Sequence, residues 1–267
     1  MILTKQNYFS PESNKKYMSV SQYKSWMECP AKTIHWLNSG EPEEETDALV
    51  AGRYVHSWAE SPEAFAEFKL QNSAYIYNKK GEPYAPFKKS DEMIEVLEAD
   101  PKVKFYMAGT HETILTAELF GVPWKIMVDI DNDPLGYLAD LKTAASITEF
   151  KYDPRVGRRV SFIEQWDYMI QAAVYSEVER IARDRDTHKD FYIIAVSKEK
   201  AVDHAIIDLT DPARIAEELA LIEANLPRIL AVKSGAEQPT RCEQCAYCRG
   251  TKRVGRPVHY TELKEAY

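Results

Sequence analysis

The sequence predicts an α/β domain in which a central mixed sheet is flanked by helices. Three observations carry that expectation. Alternation in "FGVPWKIMVDI" and in "YLADLK", joined by the turn "DNDPLG", marks an antiparallel hairpin. A helical stripe follows in "SFIEQWDYMIQAAVYSEVERIARDR". Two more strand-like runs, "DFYIIAVS" and "DHAIIDL", precede a final helical segment, so helices and strands interleave along the chain.

Residues 1–20 read as a polar arm, 21–254 as a single domain and 255–267 as a tail. Ser21 is placed to cap a helix through "QYKSWMECPAKTIHWL", bent at Pro30. The acidic stretch "GEPEEETD" separates it from a second helix over 47–60. There "GRYVHSWAE" sets Gly52 and His56 one turn apart on one face, and Gly52 would let a neighbouring backbone come close to His56. A helix is expected from Ser90 through "DEMIEVLEAD", after which strand signals dominate residues 112–142. Val122, Trp124, Ile126, Val128 and Ile130 share one face of the first hairpin strand; Lys125, Met127 and Asp129 share the other. On the second strand Leu138, Asp140 and Lys142 point one way and Tyr137, Ala139 and Leu141 the other, so Asp129 and Asp140 can meet across the hairpin. The long helix carries the stripe Ile163, Trp166, Ile170, Ala173, Val174 and Ile181, with Asp167, Gln171 and Tyr175 as an i, i+4, i+8 row beside it. The last helix is expected from Pro212 to Val232.

A chain of 267 residues buries an ordinary core without a metal or disulfide. Hydrophobic residues at 45% and charged residues at 28% exclude a disordered or membrane-embedded class. No apolar run reaches bilayer length and the first residues lack the apolar stretch of a secretory signal, so the cytoplasm is the expected location and no membrane partner is expected. A net charge of −8 by itself argues against a nucleic-acid partner, since phosphate binding draws on Lys and Arg, whereas a site for divalent metals must itself be acidic. Two local clusters, "KYDPRVGRR" with Lys151, Arg155, Arg158 and Arg159 and "RCEQCAYCRGTKR", read either as solvated loops or as grips for backbone phosphates.

Two constellations carry chemistry. Carboxylates at Asp129 and Asp140, at the ends of neighbouring strands, offer hard oxygen ligands for Mg²⁺ or Mn²⁺, and Lys142 can orient a nucleophile or stabilise a pentavalent phosphorus. That is the equipment of phosphodiester hydrolysis; an ion pair at a strand end is the plainer alternative. The second constellation is Cys242, Cys245 and Cys248 in C-x2-C-x2-C, with Cys29 near the other end of the chain. In a reducing compartment these thiols point to zinc or iron-sulfur ligation rather than disulfides.

"VDIDNDPLGYLADLKTAAS" resembles the core of PD-(D/E)XK nucleases, where an acidic residue on one strand precedes D/E-x-K on the next. "GRYVH" is similar to the Gly-x-x-x-His helix and "QAAVY" to the Gln-x-x-x-Tyr motif of RecB-like members, in the same order, and the likeness over about residues 20–250 is greatest to phage RecE-like exonucleases. The resemblance implies that His56, Asp129, Asp140 and the Leu141 carbonyl hold the catalytic metal and that Lys142 acts on the attacking water. It further implies that Gln171 and Tyr175 contact DNA or brace Lys142. A further acid is expected on the preceding strand, Glu112 in preference to Glu118. The four cysteines resemble the [4Fe-4S] staple of AddB-type and CRISPR-associated relatives, with a shorter last gap that leaves Zn²⁺ open. The implied function is exonucleolytic resection of linear duplex DNA ends, with Arg158 and Arg159 on DNA, a single-strand annealing protein as partner and a homo-oligomer as a possible assembly. Trimming of single-strand overhangs and non-catalytic DNA binding are the alternatives.

Overall fold

A computed structural model describes residues 1–40, 46–257 and 259–262. The middle of the acidic stretch, 41–45, and residues 258 and 263–267 of the expected tail lie outside the described residues. The strands are β1 (Thr110–Leu119), β2 (Val122–Asn132), β3 (Tyr137–Ala144), β4 (Lys151–Asp153), β5 (Arg158–Val160), β6 (Asp190–Ser197) and β7 (His204–Asp208). The first helices are α1 (Pro11–Lys16), α2 (Val20–Glu28), α3 (Pro30–Ser39), α4 (Asp47–Glu60), α5 (Pro62–Gln71) and α6 (Ser73–Ile76). They are followed by α7 (Ala85–Ala99), α8 (Pro101–Tyr106), α9 (Phe162–Gln165), α10 (Tyr168–Ala182), α11 (Pro212–Lys233) and α12 (Ala246–Gly250). Local chemistry starts many of these helices: Ser10, Ser61, Asp100 and Asp211 each cap a helix whose first residue is proline.

The sheet runs β1-β2-β3-β6-β7. Its β3–β6 pair is parallel and the others are antiparallel, so the sheet is mixed as the sequence predicts. The β4–β5 hairpin stands apart, paired only with itself. Leu138, Phe191 and Ile193 pack on one face with Trp26, Val174 and Ile222 from α2, α10 and α11. Ala139, Leu141, Ile194 and Val196 pack on the other with Val55 and Leu97 from α4 and α7. Among the described residues no helix is long and apolar enough to cross a membrane.

Several sequence expectations are corrected. Residues 1–20 are no loose arm: α1 forms, Ser13, Tyr17 and Met18 are buried, and Met18 pairs with Trp124 of β2. The N-terminal helix is capped by Ser19, not Ser21, and stops at Cys29, whose extended backbone leaves Pro30 to open α3. The helix expected from Ser90 begins at Ala85, with Ser90 in its buried interior. Helix α5 was not expected. The long helix is two, because Asp167 has a left-handed φ of 50° that separates α9 from α10 and turns Trp166 outward, 58% exposed. Finally, Ile130 leaves the face of Val122, Trp124, Ile126 and Val128 and packs on the opposite side of the sheet.

Candidate active site

The register explains where Ile130 changes sides. Pairing of Thr113 with Val128 and of His111 with Ile130 sets Glu112 opposite Asp129; pairing of Ile130 with Ala139 sets Asp129 opposite Asp140. Three acids thus occupy one row across β1, β2 and β3, and at that row the ladder opens. Glu112 has a left-handed φ of 54°, costly for a non-glycine residue. The Asp129 carboxylate accepts the Leu141 backbone N–H at 2.8 Å, taking the place of a strand carbonyl. Glu118 lies opposite Pro123 at the far end of β1, exposed and away from this row.

His56, on α4, reaches the row from the side, its Nδ1 3.2 Å from Asp129 Oδ2. Gly52 serves this approach less directly than its spacing suggests, since the nearest atom to a Cβ there would be the Thr143 hydroxyl at 3.8 Å and no backbone comes close. Lys142 pairs with Asp140 Oδ2, and the Gln171 amide donates to Asp140 Oδ1. The Lys142 ammonium also sits 5.2 Å from the Tyr168 ring centre. Tyr175, one turn beyond Gln171, packs edge-on to Phe191 at 6.1 Å and stands in the same cavity wall as Gln171. That cavity, about 890 Å³, holds Asp129, Asp140 and Lys142. A second, of about 1160 Å³, holds His56 and Glu112 and shares Asp129 with the first.

The charges are mutually dependent. Burial and then the neighbouring Asp129 and Glu60 charges push the Glu112 carboxyl up to about 7. Burial and the Asp129 charge likewise raise Asp140, only partly offset by Lys142. Asp129 itself is held below the carboxylate range: burial opposes its charge, but His56, Lys142 and the Leu141 N–H outweigh it. Burial disfavours the charged forms of His56 and Lys142, yet the acids prevail and raise both. An acid row that keeps two carboxyls above their ordinary range, through burial first and the Asp129 charge second, is the kind of oxygen-rich site a divalent cation relieves. Asp140 Oδ2, though beside Lys142, is buried without a hydrogen bond of acceptable geometry. The donor set therefore fits Mg²⁺ or Mn²⁺, although its carboxylates here turn to protein partners rather than to one common point.

Among the described residues, two groups of ligand atoms do converge to within 4.8 Å: the four cysteines, and Asp131, Asp133 and Glu179. The acidic trio already contains its cation, because Lys189 Nζ contacts all three carboxylates, at 2.5, 2.9 and 3.2 Å. Arg185 adds a 2.9 Å bond to Glu179, so this cluster ties β2 and the turn after it to α10 rather than offering an open metal site. In the cysteine group, Cys29 and Cys248 sulfurs are 3.5 Å apart, and Cys242–Cys248 and Cys245–Cys29 are each 3.9 Å apart. A tetrahedral ion with metal–sulfur bonds of about 2.3 Å places its sulfurs about 3.8 Å apart. The sulfur spacing matches four thiolates around one ion.

The basic hairpin is largely neutralised from within. Arg155 bonds Asp153 and Asp167, and Arg158 pairs with Glu164 at 2.6 Å. Arg159 bonds the Phe150 carbonyl and has no acidic partner among the described residues. Sequence reasoning assigned no role to Lys24, Lys125 or Tyr168, which also line the cavity of Asp129, Asp140 and Lys142. Lys125 was legible as a cation on the Asp129 face of β2, but its partners, more than a hundred residues away, were not.

A mixed sheet bearing an acid–acid–lysine row, flanked by helices on both faces, defines the PDDEXK-like class of α/β domain. The comparisons agree. Residues 19–251 match the PDDEXK-like domain of unknown function DUF3799. The crystal structure of a "Putative exonuclease" from Eubacterium rectale is 37% identical and superposes with a TM-score of 0.90, over 99% of each chain. A second solved structure, SSO0001, aligns at 14% identity and a TM-score of 0.29 over 85% of this chain and 91% of its own, too low to support an argument. No curated protein matches. This chain belongs to the DUF3799 family of PDDEXK-like domains.

Proposed function

We propose that this protein is a Mg²⁺- or Mn²⁺-dependent DNA exonuclease that hydrolyses phosphodiester bonds at DNA ends. The observation that carries the reading is the row Glu112, Asp129 and Asp140 with His56 and Lys142 at its edge, where two cavities meet. The name of the Eubacterium rectale protein supports it. His56, Asp129, Asp140 and the Leu141 carbonyl would hold the metal, with Glu112 assisting. When bound, the metal supplies positive charge against the phosphate oxygens. Lys142, held protonated by Asp140 and Asp129, is a donor rather than a base: it orients the attacking water and stabilises charge on the phosphate. Gln171 fixes the Asp140 carboxylate. Arg159, the cation of the hairpin without an acid, is the better placed of Arg158 and Arg159 to meet a DNA phosphate. Resection of duplex ends for an annealing partner is the biological use we favour. Overhang trimming is the second reading, supported by a catalytic cavity of about 890 Å³, a size suited to a few unpaired nucleotides.

Lys142→Ala and Asp140→Asn should each lower Mg²⁺-dependent digestion of end-labelled linear duplex by a factor of roughly 100 or more while leaving the circular dichroism spectrum intact. Wild-type rates in both variants would remove the assignment. At the cysteine site the sulfur spacing supports a single Zn²⁺-like ion; [4Fe-4S] is the alternative that the family resemblance implies. Elemental and sulfide analysis of anaerobically purified protein separates them.

A further inference from the structure

The segment preceding α2 lines both cavities of the candidate site. Lys5, near its start, lines the cavity of His56 and Glu112 and pairs with Glu60 of α4 on that cavity's wall. Phe9 lines both cavities, and Pro11 and Asn14 line the one that holds Asp140 and Lys142. The segment therefore runs from the wall of one chamber to the wall of the other, with Phe9 on both. It is fastened on arrival. Met18 N–H donates to the Pro123 carbonyl at 2.8 Å and its own carbonyl accepts Lys125 N–H at 2.9 Å. Lys125, 1% exposed, turns its ammonium away from any acid and donates instead to the Tyr8 carbonyl, the Ser13 hydroxyl at 2.9 Å and the Asn14 side chain at 2.7 Å. A buried ammonium that spends all three donors on one segment is a pin.

We propose that residues 5–14 are a fixed strap that converts the catalytic groove into a tunnel, so that DNA enters only by threading a free end, with Lys125 as the positioning residue that holds the strap shut. This rests on the nuclease reading and explains why such a site would act on ends rather than within a strand. A groove open along one side would accept any stretch of a chain, whereas a roofed one admits none that lacks a terminus.

The test compares linear with covalently closed circular DNA of the same sequence, both as single strands and as duplex, in Mg²⁺, using the full-length protein. Wild type should degrade the linear form and leave the circle intact. Lys125→Met should raise the ratio of circle to linear cleavage at least tenfold, and should speed tryptic cleavage after Lys15 and Lys16, which are surface residues held in α1 in the wild type. If Lys125→Met does not fold, the milder Ser13→Ala/Asn14→Ala pair, which removes two of the three acceptors, should move both readouts in the same direction. Wild-type cutting of circles as fast as linear strands overturns the proposal. So does a variant with a trypsin-released strap that still spares circles, or one in which trypsin finds no release. Failure of the nuclease reading looks different: no metal-dependent cleavage of either DNA by wild type, which brings both down together.

Discussion

The Asp140 carboxylate shows how little of a site a single residue decides. One oxygen meets Lys142, the other the Gln171 amide, and burial together with the Asp129 charge across the strands makes its ionisation harder. Gln171→Leu removes the donor without changing volume much. It should cut cleavage roughly tenfold and cost about 1–2 kcal/mol in urea unfolding, because a buried carboxylate oxygen loses its partner. Unchanged kcat with unchanged stability would show that the contact is idle. Alternation alone placed Asp140 and Lys142 on one face, since period two is a local property of a strand. The Gln171 contact was suggested only by resemblance, because its helix comes 31 residues later and its docking depends on the whole sheet.

At the scale of elements, the sequence pattern was faithful where a segment is regular and failed where one residue breaks it. Helix α4 has the expected bounds, and both hairpin strands lie as expected. The break at Asp167 was invisible, because the apolar spacing on either side continues nearly in phase, and only its φ of 50° reveals it. Asp167→Gly should fold with stability within about 1 kcal/mol of wild type: glycine takes this backbone freely, and the exposed bond to Arg155 contributes little. Asp167→Val should cost roughly 1–2 kcal/mol more, since a branched side chain resists the left-handed region. Equal denaturation midpoints for Gly and Val would mean that the kink relaxes at no expense. The kink also lets Tyr168 face Lys142 while Trp166 faces water.

Across the whole molecule, what the sequence could not display is contact between distant parts. The polar look of residues 1–20 hid a segment that packs on β2, because its polar groups are consumed by one lysine and by strand backbone. The cysteine site is the opposite case: tight spacing announced three ligands, and the fourth was the one cysteine remaining. Cys29→Ser should lower the bound metal and reduce the unfolding free energy by several kcal/mol, on the order of the contribution a structural metal makes to a small domain. A variant with full metal content and an unchanged melting curve would show that Cys29 is dispensable to the site.

Cys29 is also the elbow between α2 and α3, and those two helices supply Lys24, Trp36 and Leu37 to the catalytic cavity. The far end of the polypeptide thereby reaches back to this wall, where Tyr247 stacks on His35 of α3 at 4.7 Å and Cys248 meets Cys29. A fragment ending before residue 242 would possess every acid, the imidazole and the amine proposed for hydrolysis, yet would hold that wall by bonds such as Thr240–Ala31 and Asn225–Tyr23 in place of three of the four thiols.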